Sequence, residues 1–122
     1  DLLIFSIGGI VNDAIKVCDM LIRRKVNPTL VSCHTLKPLD EITIKKLCKN
    51  IKKVFIIEEN SKIGGLASAI SQICLENSIG LKVFKSFGLE SNFIKEVGDR
   101  EHLLKISKLD PKTITKEILK LI

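Results

Sequence analysis

The chain has no Trp, no Tyr, one Met and three Pro in 122 residues, and its aromatic content is 4%, all of it Phe. A nucleic-acid reader needs flat side chains interleaved with a concentrated basic patch. Here 20 Lys and Arg outnumber 14 Asp and Glu for a formal charge of +6, but the cations are scattered and the stacking platforms are few, five Phe that mostly sit in apolar runs. The surplus therefore reads as a solubility feature, and as attraction toward acidic surfaces or phosphorylated metabolites, with no nucleic-acid partner. Long apolar runs are absent too. The uncharged apolar stretch Leu2 to Val11 contains Ser6, Gly8 and Gly9 and is far too short to cross a bilayer. No basic segment precedes it, which argues against a signal peptide and a membrane partner.

Motif spacing removes further classes. Cys18, Cys33, Cys48 and Cys74 form no CxxC pair, so zinc ribbons and thioredoxin-type dithiols are excluded. Cys18, Cys48 and Cys74 fall at apolar-periodic positions and read as reduced thiols of a cytoplasmic protein. Gly8-Gly9 is followed by Ile10-Val11-Asn12, which completes neither GxGxxG nor a P-loop, and reads as a tight turn needing positive φ. His34 and His102 lie outside any HxxxH spacing, and no GxSxG elbow is present. No metal site and no self-contained catalytic set emerges.

What is present is a 45% hydrophobic chain able to bury one core, expected as one domain over residues 1–122. Its apolar start at Asp1 reads as a piece cut from a longer polypeptide. Strand and helix alternate: strands over Leu2–Ser6, Thr29–Cys33, Lys53–Ile57 and Leu81–Lys85, and helices over Val11–Lys25, Glu41–Asn50 and Leu66–Glu76. Asp40 is placed to cap the second helix, and Asp110-Pro111 opens a last one ending near Leu121. Glu58–Ile63 reads as a polar loop, with short helical pieces over Ser91–Glu96 and Glu101–Ile106. Strands separated by helices imply βαβ crossovers, hence a three-layer αβα domain with a mainly parallel sheet.

Ligands of such sheets gather at the strand carboxyl ends. Those ends are Gly8-Gly9, His34 to Asp40, Glu58 to Gly65 and Ser86 to Leu89. Adjacent strand residues face opposite ways, so Glu58 and Glu59 cannot both address one substrate. One of them is better suited to accepting loop backbone N–H groups while the other meets solvent or a partner. Gly64-Gly65 opens a helix whose amides could meet an anion, or it permits close helix–strand packing.

Three runs, His34-Thr35-Leu36-Lys37-Pro38-Leu39-Asp40, Ile57-Glu58-Glu59-Asn60 and Ile63-Gly64-Gly65-Leu66-Ala67-Ser68-Ala69, resemble in their order the C-terminal domain of transketolase and its thiamine-diphosphate relatives. Phe87 to Phe93, Gly98, Leu103-Leu104 and Leu109-Asp110 extend the resemblance over essentially the whole chain. The first run is most similar to transketolases whose C-terminal half is a separate polypeptide. Cousins are 1-deoxyxylulose-5-phosphate synthase and the beta subunits of 2-oxoacid dehydrogenases. Asn60 stands where relatives often have His, and Ala67 where they often have Gly.

The resemblance implies a five-stranded mixed sheet whose antiparallel first strand would precede Asp1. Four parallel strands in the order 2-1-3-4 are then expected here, with the second strand an open edge. It also implies that thiamine diphosphate and magnesium sit between two other domains, and that the activating glutamate belongs to the pyrimidine-binding domain. No catalytic, cofactor-binding or metal residue is then expected in this chain. The expected role is non-catalytic: packing on the pyrimidine-binding and cofactor-binding domains, support of a homodimer, and a ligand or interface surface formed by His34, Lys37, Asp40, Glu58, Glu59, Asn60, Gly64 and Gly65. The parent reaction would move a two-carbon ketol unit between sugar phosphates. A rival from another class is a free-standing module for an anionic metabolite.

Overall fold

A computed structural model describes residues 1–34, 38–61, 64–89 and 109–122. Strands β1 (Leu2–Ile7), β2 (Pro28–Cys33), β3 (Lys53–Ser61) and β4 (Val83–Leu89) form one parallel sheet in the order β2-β1-β3-β4. Helices α1 (Val11–Arg23), α2 (Glu41–Asn50), α3 (Leu66–Glu76) and α4 (Pro111–Leu121) complete the described elements. This is the expected strand order, and among the described residues nothing pairs with the outer edge of β2.

β1 and β3 are apolar on both faces because both faces are covered. Leu2, Ile4, Phe55 and Ile57 join Ala14, Val17 and Leu21 of α1 and Ile114 and Ile118 of α4 in one cluster. Leu3, Phe5, Val54 and Ile56 join Ile44 and Cys48 of α2 and Leu66, Ile70 and Cys74 of α3 in the other. The rings of Phe55 and Phe87 stack across β3 and β4 with centroids 6.5 Å apart, within the favourable range for aromatic pairs. On the same side, the Thr115 hydroxyl donates to the Met20 sulfur at 3.5 Å and ties α4 to α1.

The helix openings follow one local rule. Asp40 Oδ1 accepts the Thr43 N–H at 3.1 Å, and Asp110 Oδ2 accepts the Thr113 N–H at 3.1 Å. In each case the Thr hydroxyl donates to the other carboxylate oxygen at 2.7 Å. Pro111, with no N–H to lose, occupies the first turn of α4.

Two sequence expectations need correction. Glu58 to Ser61 is strand, not loop: the ladder continues through Ile7 and Glu58, and after a register shift Ser61 pairs with Leu89. β4 begins at Val83 instead of Leu81, because the amides of Lys82 and Val83 both donate to the Lys52 carbonyl and set the register there. Ser86 to Leu89 consequently lies in the strand. The helical pieces expected over Ser91–Glu96 and Glu101–Ile106 lie outside the described residues.

Phe55→Ala, at a fully buried central-strand position, is expected to lower unfolding free energy by about 3–5 kcal/mol. Asp110→Ala, which removes only a cap, should cost about 1 kcal/mol. Urea denaturation of the two variants checks both the values and their order.

Candidate functional site

The strand carboxyl ends gather where the sequence places them. β1 runs into a 3-10 turn over Gly8–Ile10, with Gly8 at φ +82°, a backbone that favours glycine. The tight-turn reading of Gly8 therefore holds. His34 follows β2 and is exposed, Asp40 is the exposed cap of α2, and Lys37 lies outside the described residues. Glu58, Glu59 and Asn60 all lie in β3. Gly64 has φ +76°, and Gly65 is the N-cap of α3.

Glu58 and the Gly64-Gly65 turn come together around one set of hydrogen bonds. The Glu58 side chain is 0% exposed. Its Oε2 accepts the Leu66 N–H at 2.8 Å, and its Oε1 accepts the Ala67 N–H at 3.3 Å. These are the first two residues of α3, whose amides have no partner within the helix. The helix dipole adds a favourable field for the carboxylate. Two residues before α3, the Gly64 N–H donates to Ser68 Oγ at 3.2 Å. Glu59, the next residue of β3, is half-buried and has an interaction of its own. The two glutamates thus divide, and Glu58 is the one that holds loop backbone. Asp40 is engaged elsewhere, bonding Thr43 in its own helix.

Sequence reasoning passed over two buried polar groups near these ends. The Ser6 hydroxyl, 0% exposed in β1, donates to the Ile57 carbonyl of β3 at 2.9 Å. Its signal was a polar residue interrupting an apolar strand just before Gly8-Gly9. Asp13 is buried in the first turn of α1, with the Lys16 ammonium 3.9 Å away. A separate groove of about 330 Å³ lies between the entry to α2 and α3, lined by Pro38, Leu39, Glu41, Ala69, Ile73 and Glu76 among others.

These residues offer little for nucleophilic or cofactor chemistry. All four cysteines are free. Burial, with the nearby Asp19 carboxylate, pushes the Cys18 thiol up to about 11. Burial beside Cys74 pushes Cys48 up to about 12, and burial also raises Cys33. Such thiols stay protonated at neutral pH and are poor nucleophiles. No group of three or more His, Cys, Asp or Glu among the described residues could hold a metal ion. Among the described residues, the helix end reached through Gly64-Gly65 is filled by Glu58 and does not fit the diphosphate of thiamine diphosphate. No helix among the described residues is long and apolar enough to cross a membrane.

Glu58→Gln turns one charged acceptor into a donor aimed at helix amides, and should cost about 2 kcal/mol in chemical denaturation. At Asp40, the Thr43 hydroxyl first and the Thr43 N–H second hold the carboxyl below the usual aspartate range. The cap therefore contributes fully above the ordinary value of about 3.9, and is lost as pH falls through the lower folded value. An NMR titration of Asp40 and Thr43 should show that depressed midpoint.

Comparison with known proteins gives a consistent result. The family model described as transketolase, C-terminal domain, matches residues 1–114. The 1-deoxy-D-xylulose-5-phosphate synthase of Halothermothrix orenii is 32% identical over 123 residues, covering 100% of this chain and 19% of that protein. The enzyme of that name from Blochmanniella floridana is 36% identical over 96 residues, 79% of this chain and 15% of that protein. The chain thus spans less than a fifth of the length of these relatives. Among solved structures, a split-gene transketolase described as an inactive beta4 tetramer superposes with TM-score 0.86 at 23% identity, covering 99% of this chain and 39% of that one. A Pichia stipitis transketolase in complex with sedoheptulose-7-phosphate superposes with TM-score 0.70 at 18% identity, covering 99% of this chain and 16% of that one. With the family model matching nearly its full length and the sheet order as described, this chain belongs to the transketolase C-terminal domain family.

Proposed function

We propose that residues 1–122 are the non-catalytic C-terminal domain of a cytoplasmic, thiamine-diphosphate-dependent enzyme of the transketolase type. The observation that carries the non-catalytic part is the engagement of Glu58: the buried carboxylate at the strand ends is spent on two helix amides. A carboxylate held in this way is a structural anchor with no route to a substrate proton. The cytoplasmic setting is supported by four free thiols.

In this reading the domain packs on the pyrimidine-binding and cofactor-binding domains of its parent and supports a homodimer. His34, Lys37, Asp40, Glu59, Asn60 and the Gly64-Gly65 turn form the interface or ligand surface at the strand ends, with Glu58 as the anchor beneath. The exposure of His34, Asp40 and Gly64 supports an interface role, as do the free backbone groups along the outer edge of β2 among the described residues. Thiamine diphosphate and magnesium belong to the parent's other domains. The parent reaction is transfer of a two-carbon ketol unit between sugar phosphates.

A second reading of the parent, 1-deoxyxylulose-5-phosphate synthase, is favoured by one observation: the curated relatives at 28% to 36% identity carry that name. Formation of 1-deoxyxylulose 5-phosphate by the full-length protein would select it, and ketol exchange between sugar phosphates would select the first.

Calorimetric titration of the chain with thiamine diphosphate and magnesium should give no saturable heat. Micromolar affinity would overturn the non-catalytic reading whichever parent is correct.

A further inference from the structure

Cations that are scattered along the sequence are gathered by the fold. In a parallel sheet every strand starts at one edge, and the described strands start at Leu2, Pro28, Lys53 and Val83. α1 returns to that edge through Arg23, Arg24 and Lys25, all exposed, and α2 returns to it through Lys49 and Lys52. Lys53 opens β3, and Lys82 stands just before β4 with its amide on the Lys52 carbonyl at 2.8 Å. Among the described residues none of these cations is in an ion pair. The described carboxylates at this edge, Asp1 and Glu76, are each engaged. Asp1 accepts the Asn27 N–H at 3.0 Å, and Glu76 accepts the Gln72 side-chain amide at 2.9 Å. The carboxyl edge carries the other sign, with Asp13, Asp40, Glu41, Glu58 and Glu59.

Helix ends account for only part of this crowding. A cation suits the last turn of a helix, which explains Arg23 and Lys49. Lys53 and Lys82 belong to strand openings, where like charges on neighbouring segments oppose each other. Lys25, at φ +63°, holds a helix-ending position that usually falls to glycine or asparagine. The edge thus bears a repulsion that no described carboxylate relieves.

We propose that the amino-terminal edge of the sheet docks an acidic segment of a partner protein, whose carboxylates supply the missing counter-charges. The turns at this edge are short, so nothing in them projects far enough to enter a nucleic-acid groove. Val26, Ile51, Ile79 and Leu81 of the same turns pack inward, so these turns offer no apolar side chain to a lipid surface. The inference concerns the edge opposite the Glu58 site and does not depend on the identity of the parent enzyme.

The test titrates an oligoglutamate peptide into the chain at near-physiological ionic strength and follows all backbone amides by NMR, with an oligoglutamine peptide of equal length as control. Saturable movement should centre on Arg24, Lys25, Lys52 and Lys82, and should weaken as salt is raised. Lys52→Gln combined with Lys82→Gln should lower the affinity at least about threefold, whereas Lys16→Gln, on α1 away from this edge, should leave it unchanged. Four results would overturn the proposal: no saturable movement, movement centred on the carboxyl edge, an equal response to oligoglutamine, or equal loss in Lys16→Gln. Tighter binding of a DNA duplex or of phosphatidylserine vesicles than of oligoglutamate would overturn the choice of a protein partner, and the proposal with it.

Discussion

β1 and β3 run side by side at the centre of the sheet, and neither has a face to give to water. Leu2 to Phe5 and Val54 to Ile57 are all fully buried. Alternation sends Leu2, Ile4, Phe55 and Ile57 to one side and Leu3, Phe5, Val54 and Ile56 to the other. Two apolar faces demand two helical layers, supplied by α1 with α4 and by α2 with α3. The arrangement of everything else follows from covering this pair.

The same constraint explains why a carboxylate can be buried at the top of β3. Past Ile57 the strand leaves the region packed by side chains and meets the beginning of α3, whose first amides need an acceptor. Glu58 meets that need, and Ser6 does comparable work one strand away by donating to the Ile57 carbonyl. The polar groups at the top of the central pair thus bond to backbone and fix where β1, β3 and α3 meet. Among the described residues, the exposed positions at that end include Gly8, Gly9, His34, Asp40 and Gly64.

Much of this was readable before any coordinates. The runs Leu2–Phe5 and Val54–Ile57 are continuous and apolar because both their faces are covered, so their strands stand out. Asp40 and Asp110 announce themselves because an N-cap is a local device, settled within three residues. The polar end of β3 was not readable as strand, since Glu58-Glu59-Asn60 has loop-like composition and is held extended by pairing with β1 and β4. The start of β4 was misplaced for a similar reason, being fixed by the distant Lys52 carbonyl. Opposite orientations for Glu58 and Glu59 followed from strand geometry. Which of them meets a helix end depends on the side of the sheet that α3 crosses, a property of the topology and not of the local residues.

The order of the sheet also bears on how the protein is born. Ser6 and Ile57, bonded across β1 and β3, are 51 residues apart in the chain. During synthesis β1, with its apolar residues, is made before its central neighbour β3, and of the described strands β2 comes between them in the sequence. Contacts of such long sequence separation form slowly, and an uncovered apolar strand is prone to clumping while it waits.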